Sequence, residues 1–498
     1  MTSRFAWSGS AAYGALMPIA AVWLALSPDA DARPVALSEV LAEVAAHHPD
    51  ARLAHAAADR AEGTRIRAAG LFDPTFDAAG NWRTAEEAGS VSGFPYVADV
   101  DAWGLTAGFN GQLTTGTLWS LTGGLDRNQS RYVTNLGLAE SVQIEDLTTT
   151  RFDAALQQPL LRGLLLGAAL GDLRGARLEA TAAELQAESA RQDALASTAA
   201  AYWNWAVAYE ARMAAEELRA TASADAQNAE ALDAAGRLAP GDRARFAAAL
   251  AFAEGAAMDT ATSERLAAAA VFAAMGRPPE SDARPATTPP APAPVTVDAT
   301  TVVAAALAQR PSLLAARSLH EAAEAELRAS KGNGLPQVDL TAEAGVVEQR
   351  PSAGATTLAA TGPLPYVGVG GLLSVPLGNR EARGNTVRAH ALVARRQAEL
   401  DQLVVSTESD VLDAFARLTT AEARTRAADD AVRATVDARS AEEALFAAGR
   451  STLRDVLWAR QQAADARTAA VRARATWHGA ATHLLALQGK LGDAAQVP

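Results

Sequence analysis

Cysteine is absent from the 498-residue sequence, and its absence removes several kinds of chemistry. Without a thiol the chain forms no disulfide, no thiolate metal site and no cysteine nucleophile. An N-terminal lipidated cysteine, a common membrane anchor, is excluded for the same reason. Cysteine usage therefore does not identify the redox compartment, and any membrane attachment has to come from another feature of the chain.

Aromatic residues and positive charges are also scarce. Aromatics make up 5% of the sequence, and 57 acidic residues against 44 basic ones leave a net charge of −13. Nucleic-acid binding needs clustered Lys and Arg against the phosphates, so no nucleic-acid partner is expected. The hydrophobic share of 49% is rich in alanine, which favours long helices in close contact over a thick globular core.

Long apolar runs are confined to the N-terminus. Arg4 precedes the apolar stretch AAYGALMPIAAVWLAL at 11–26, and Ala30-Asp31-Ala32 gives a small-x-small cleavage pattern. This order predicts a secretory signal peptide over 1–32, with a buried helix or an uncleaved anchor as the alternatives. No later uninterrupted apolar run reaches the length of about 18 residues expected of a membrane-spanning helix.

Catalytic motifs are missing as well. The sequence contains no GxSxG, P-loop or HExxH pattern. His47, His48 and His55 lie near one another on a predicted helix, but no carboxylate cluster with metal-ligand spacing accompanies them. We interpret them as solvated helix residues, and we expect no enzyme activity, no cofactor and no metal site.

The chain contains an internal duplication. With a shift of 262 residues, RAAGLFDPTFDAAGNW aligns without a gap on ASKGNGLPQVDLTAEA, so that Gly70 falls on Gly332 and Pro74 on Pro336. In both copies an Ala-rich helical run meets a glycine, then a proline, and then alternating apolar and polar residues. These four residues predict helix-to-strand junctions, because glycine can end a helix and proline is tolerated where a strand begins.

Two further pairings complete the repeat. FDAALQQPL resembles VGGLLSVPL, which aligns Pro159 with Pro376 at predicted strand-to-helix junctions. AGRLAPGD resembles AGRSTLRD, and each has an acid six residues after its glycine. Each half therefore reads as helix, strand, strand, long helix, turn and helix.

The predicted organisation follows from these pairings. The segments are a signal peptide (1–32), a first repeat (33–276), a Pro-rich linker (277–297), a second repeat (298–490) and a tail (491–498). The predicted strands are 73–88, about 150–159, 336–348 and 365–376; the helices after them are 171–235, 240–276, 381–447 and 452–490. Two readings of the linker stay open: a strap that crosses the surface, and a simple connection.

The predicted long helices exceed the size of a globular domain. Some 65 proline-free residues at about 1.5 Å each give a rod of roughly 100 Å. The shorter helices match that length if they stack end to end in pairs. A coiled coil or an extended tube uses such rods. A soluble four-helix bundle would explain the helices but not the strands.

The predicted strands are two-faced. Val338, Leu340 and Ala342 alternate with Asp339 and Thr341. In a soluble sheet the apolar face covers a core, whereas in a membrane barrel it meets lipid. If the strands lie in a bilayer, several copies of the chain must close the barrel, since unpaired strand edges are forbidden there. A further hairpin over 101–128 has no counterpart in the second half, and it either adds barrel strands or extends the sheet or loop on the outer side.

The combination of these features resembles the TolC family of outer-membrane efflux proteins over nearly all of the chain after the signal segment. The resemblance rests on the duplicated halves, the strand entries AAGLFDPTF and GLPQVDL, the strand exits QPLLRG and VPLGNR, and AGRSTLRDVLWARQQAADAR after the second long helix. It implies a mainly α fold with a transmembrane β-barrel: a trimeric 12-stranded barrel in the outer membrane, continued by a periplasmic α-barrel of long helices. The implied function is a passive exit duct for efflux or type I secretion, with a periplasmic adaptor and an inner-membrane pump as partners. A soluble periplasmic coiled-coil adaptor or scaffold is the alternative.

The resemblance also implies a constriction at the periplasmic tip, formed by the two helix turns. The tip residues are Gly236, Asp242, Gly449, Arg450 and Asp455. In a trimer the two aspartates would form two rings of like charge that favour cations. Asp455 is equally compatible with a helix N-terminal acid that the dipole stabilises. Trp458 stands where the family has a second acid, and Ser451 where it commonly has an arginine.

Overall fold

The computed structural model describes residues 33–91, 94–135, 140–163, 168–236, 241–280, 282–351 and 362–491. The predicted signal peptide, 1–32, and residues 492–498 of the predicted tail lie outside these ranges. The helices are α1 (Leu37–His47), α2 (Pro49–Ala69), α3 (Ala168–Ala234), α4 (Asp242–Ala274), α5 (Ala299–Gln309), α6 (Pro311–Asn333), α7 (Arg380–Ala447) and α8 (Leu453–Leu487). The strands are β1 (Arg33–Val35), β2 (Thr75–Val91), β3 (Phe94–Gln112), β4 (Leu118–Asn135), β5 (Glu140–Pro159), β6 (Ala283–Pro285), β7 (Gln337–Pro351) and β8 (Leu364–Ser374).

The helices form a wall of four parallel rods. α3 and α7 are continuous over 67 and 68 residues, which corresponds to roughly 100 Å each. α3 packs on α2, α4, α6 and α8, whereas α7 packs on α5, α6 and α8. The order across the wall is therefore α2 with α4, then α3, then α6 with α8, then α7. The two composite rods correspond to the end-to-end pairs that their lengths predict.

Two prolines divide what the sequence presents as single helices. Pro49 begins α2 directly after α1, and Pro311 begins α6 directly after α5. A proline tolerates the first position of a helix because its missing N–H would be unpaired there in any case. His48 and Arg310 take extended backbone conformations at the two breaks. The chain bends at equivalent points of the two repeats.

A hydrophobic core ties the middle of the wall together. Tyr202 and Trp205 of α3 pack with Leu41 and Phe272, all nearly inaccessible to solvent, and the Tyr202 hydroxyl donates to the Val35 carbonyl oxygen at 2.9 Å. β1 pairs in parallel with β6, which lies in the Pro-rich segment. Farther along that segment, His478 Nε2 lies 3.1 Å from the Pro290 carbonyl oxygen and the Val295 amide donates to Glu422. The segment 277–297 thus runs as a strap across α8 and α7.

The remaining strands form one antiparallel sheet with the order β2-β3-β4-β5-β7-β8. The fold class of long helices with an antiparallel sheet is confirmed. The count of four strands per chain is corrected to six among the described residues, because the hairpin foreseen around 101–128 lies inside the sheet, between β2 and β5. A trimer total of 12 strands does not follow from this sheet.

Candidate functional site

The apolar face of the six-stranded sheet is open to the surroundings. Strand register places Phe76, Phe109 and Leu121 side by side across three strands, and the row continues through β5, β7 and β8. Trp82 and Val369 on this face are 76% and 74% exposed. Other large apolar side chains on this face include Trp103, Leu105, Trp119, Leu125, Phe152, Leu156, Leu340, Val346, Val367 and Leu373. A surface of this size and continuity has to be covered by lipid or protein.

The apolar band has defined limits along the strands. From Phe76 to Trp82 it covers about 20 Å of strand at roughly 3.3 Å per residue, and Trp103 lies directly opposite Trp82 at its far end. At the level of these tryptophans the same face becomes charged: Arg127 lies directly opposite Trp103 and donates to Asp146 at 2.9 and 2.5 Å. An apolar band bordered by aromatic residues and then by charges is typical of the lipid-facing side of an outer-membrane barrel.

The opposite face of the same strands is polar and internally bonded. The Asn110 amide donates to Asp77 at 2.5 Å, and Gln157 donates to Asp339 at 2.7 Å. The Arg151 guanidinium donates to Asp126 at 2.5 Å. Asn81, Thr106, Thr122, Asp153, Thr341 and Glu343 share this face. The alternation that the sequence shows is therefore a real division between a water-compatible side and an apolar side.

The wall has two open sides. Within the described residues, β2 and β8 are the unpaired edges of the sheet, and they connect directly to the outermost helical rods. Those rods expose apolar side chains: Phe252 is 80% exposed on α4, and Val405 is 66% exposed on α7. Leu53, Ile66, Met258, Leu266, Val387 and Leu412 belong to the same two rods. The open strand edges and apolar flanks leave the chain with two sides that further protein or lipid would cover.

The predicted junction residues lie where helices and strands meet. α2 ends at Ala69, and Gly70 continues into a short 3₁₀ turn with φ of −61°, so it does not use the left-handed conformation of a glycine cap. Pro74 directly precedes β2. Gly332 lies in the last turn of α6, which ends one residue later at Asn333, and Pro336 directly precedes β7.

The two strand-to-helix junctions differ from each other more than the two helix-to-strand junctions do. Pro159 is the last residue of β5, and the next amide, that of Leu160, donates to the Val338 carbonyl oxygen at 2.7 Å. Pro376 lies beyond the end of β8, before a turn in which Asn379 has a positive φ of 42°. The Asn379 side chain donates to the Gly334 carbonyl oxygen at 2.8 Å. That bond connects the entry and the exit of the second strand pair.

The two helix turns at the end of the wall opposite the sheet share one backbone conformation. Gly236 and Gly449 follow the C-termini of α3 and α7 with φ of 67° and 69°. At the second turn the Arg450 amide donates a hydrogen bond to the Leu445 carbonyl oxygen at 2.9 Å. Glycine avoids the steric cost of this left-handed conformation, which explains the residue at both positions. Arg450 follows the second glycine and is exposed.

The two tip aspartates are in different surroundings. Asp242 is the first residue of α4, and Arg245 donates to it at 2.9 Å. Asp455 forms a capping box with Thr452, in which each side chain accepts the other residue's amide at 3.4 Å. Asp455 is exposed and has no ion pair among the described residues. Asp455 therefore helps to cap the N-terminus of α8, and its negative charge is not neutralised by a partner among the described residues.

Arg460 is a tip residue that the sequence does not indicate. Its Nη1 atom lies 2.7 Å from Asp225 on α3, and its Nε atom lies 2.8 Å from Glu443 on α7. Burial disfavours the charged guanidinium, but Glu443 and Asp225 outweigh that effect and keep the pKa of Arg460 above its ordinary value. Because Arg460 is on α8, it connects three rods. Its partners lie 235 and 17 residues away, so no local pattern marks it.

Among the described residues, no helix is both long and apolar enough to cross a membrane. Over the same ranges, no group of three or more His, Asp or Glu side chains is placed to hold a metal ion.

Comparisons with known proteins bear on this geometry. Residues 302–490 match the family model described as "Outer membrane efflux protein". Over these residues the chain is similar to that family. The resemblance stated from the sequence is thereby confirmed, and no curated protein matches.

Solved outer-membrane channels have the same fold. The CmeC outer membrane channel of Campylobacter jejuni shares 14% identity, with 92% of this chain and 87% of that chain covered and a TM-score of 0.65. VceC from Vibrio cholerae shares 18% identity, with coverage of 91% and 96% and a TM-score of 0.61. The open state of the MtrE channel of Neisseria gonorrhoeae shares 19%, with coverage of 92% and 89% and a TM-score of 0.59. The comparisons give no support to a soluble adaptor or scaffold.

Proposed function

We propose that this chain is a passive exit duct of the outer membrane, which carries substrates out of the periplasm as part of an efflux or type I secretion system. The two-faced sheet would cross the outer membrane, and the helical rods would extend about 100 Å into the periplasm. The duct itself would carry out no chemistry. This fits the absence of catalytic motifs from the sequence.

One observation carries the proposal: a single chain forms only part of a wall. Its sheet has an apolar face, a polar face and two unpaired edges, and its outermost helices expose apolar side chains in line with those edges. In a bilayer, unpaired strand edges are satisfied only by closure into a barrel. Copies of the chain supply that closure, and the family resemblance implies three.

The partners belong to the same proposal. A duct without a nucleotide-binding motif needs an external energy source, which the resemblance assigns to an inner-membrane pump joined through a periplasmic adaptor. The helix turns around Gly236 and Gly449 form the end of the wall opposite the sheet, so they would face these partners. Asp242, Arg450 and Asp455 would line the constriction there.

Fractionation of cells that express the full chain tests the proposal. We expect the protein in the outer-membrane fraction, extracted only with detergent, and a detergent-corrected mass of three chains. Recovery in the aqueous periplasmic fraction as a monomer would instead favour a soluble role. A matched control is Ala342→Asp, which places a charge in the apolar band. This variant should still be secreted into the periplasm, but less of it should be recovered in the outer-membrane fraction.

A further inference from the structure

We propose that each chain contributes all six strands to the membrane barrel, so that a trimer closes as an 18-stranded barrel with an exit as wide as its helical tube. The inference rests on the proposed function and goes beyond it, because it concerns the size of cargo that the outer end admits. The additional strands are β3 and β4, which have no counterpart among the described residues of the second repeat.

β3 and β4 are paired as interior strands along their whole length. β2 pairs with β3 from Thr75–Asn110 to Val91–Phe94, and β4 pairs with β5 from Leu118–Gln157 to Asn135–Glu140. An accessory hairpin on the outer surface would leave β2 and β5 adjacent to each other. Here two full strands separate them, so the hairpin widens the sheet.

The hairpin also has the two faces that a membrane wall needs. Leu105, Phe109 and Leu121 are 54%, 49% and 55% exposed. Phe109 and Leu121 lie in the same row as Phe76, and Leu105 lies opposite Gly80 within the same apolar band. On the other face, Asn110 accepts a hydrogen bond from Thr75 at 2.7 Å. An extracellular loop has no need for an apolar band in register with its neighbours, whereas a strand inside a bilayer does.

The lower turn of the hairpin is fixed to the base of the wall. The Leu113 amide donates to the Thr117 carbonyl oxygen at 2.8 Å, and the Thr117 hydroxyl donates to Gln158 at 2.5 Å. Gly116 has a φ of 88°, and a Cβ atom there would collide with the Gly163 carbonyl oxygen. The turn therefore lies against the exit of β5, at the level where the sheet meets the helices.

With typical spacings, the width of the sheet is closest to that of the helical wall when all six strands are counted. Four helical rods spaced 8–10 Å apart span roughly 36 Å. Six strands about 4.8 Å apart and tilted by about 40° span roughly 38 Å, whereas four span roughly 25 Å. A six-stranded sheet thus continues the helical wall without narrowing. Since barrel diameter grows about linearly with strand number, the exit would be about one and a half times as wide as with four strands per chain.

A deletion of residues 94–138 tests the inference. It removes β3 and β4 and keeps residues 92, 93 and 139 between Val91 and Glu140. A two-residue turn over 92–93 that brings position 139 opposite Val91 leaves Phe76 beside Ala154 on the apolar side. The measurement is the largest neutral polyethylene glycol that enters the channel from the extracellular side in planar bilayers. We expect the limiting radius of the deletion variant to be about a third smaller than that of the full chain. Equal limits would overturn the inference.

A second measurement uses the full-length fold. Because the chain has no cysteine, Leu121→Cys and Thr122→Cys each introduce a single thiol on opposite faces of β4. A water-soluble thiol reagent should modify Thr122→Cys and leave Leu121→Cys protected by lipid. Equal modification of both would place the hairpin outside the membrane wall. Failure of the proposed function would give a different result: the full chain without any substitution would conduct no ions.

Discussion

At the residue scale, Asp455 combines two properties that can be separated. Its carboxylate accepts the Thr452 amide and so helps to begin α8, and its charge has no ion-pair partner among the described residues. Asp242, in contrast, is paired with Arg245. If three chains meet at the tip, Asp455 therefore contributes more unpaired negative charge than Asp242 does.

Asp455→Asn and Thr452→Ala separate these roles. Thr452→Ala removes the threonine half of the capping box and keeps the charge, so thermal unfolding should show a loss of about 1 kcal/mol with unchanged cation preference. Asp455→Asn keeps an acceptor oxygen and removes the charge, so the reversal potential in a salt gradient should shift toward lower cation preference. An unchanged reversal potential in Asp455→Asn would show that the charge does not face the pore.

Arg460 provides the second residue-scale prediction. Arg460→Ala removes the bonds to Asp225 and Glu443 that link α8 to α3 and α7 near the tip. A restraint on the order of 1 kcal/mol corresponds to about a fivefold shift between closed and open tips. We expect a higher open fraction in single-channel records. Arg433→Ala is the control, since Arg433 pairs with Asp430 within α7. Equal open fractions in the two variants would exclude a closing role for Arg460.

At the element scale, the sequence predicts the long helices better than the sheet. α3 and α7 are free of proline and rich in alanine, and their boundaries at Ala168 and Arg380 lie within three residues of the predicted starts. Pro49 and Pro311 mark breaks that the helical pattern alone does not show. The alternation of apolar and polar residues does not reveal where β3 and β4 lie. A hairpin shows the same alternation whether it pairs within the sheet or lies outside it. The role of Arg460 is not predictable from the sequence either, because its most distant partner lies 235 residues away.

The division between the two faces of the sheet predicts opposite tolerance at neighbouring residues. Ala342 lies near the middle of the apolar band on β7, and Thr341 lies on the polar face. Ala342→Arg should reduce stability in lipid by about 2–4 kcal/mol, while Thr341→Arg should cost much less. Urea unfolding in lipid vesicles measures the difference. Equal losses would mean that the apolar face is not the lipid face.

At the scale of the whole molecule, the chain is a wall segment. Its strap, 277–297, holds the middle of the helices together, while its two sides expose strand edges and apolar helix surfaces. Since the unpaired edges of β2 and β8 cannot remain open in a bilayer, closure by copies of the same chain is the central claim. That claim is independent of which adaptor or pump the duct serves.

Ion conductance of the detergent-extracted protein in planar bilayers tests the closure claim most directly. We expect discrete conductance steps from the trimeric fraction, and no steps from Ala342→Arg prepared in the same way. A trimeric fraction that inserts into the bilayer but gives no conductance step, even after Arg460→Ala loosens the tip, would contradict the account.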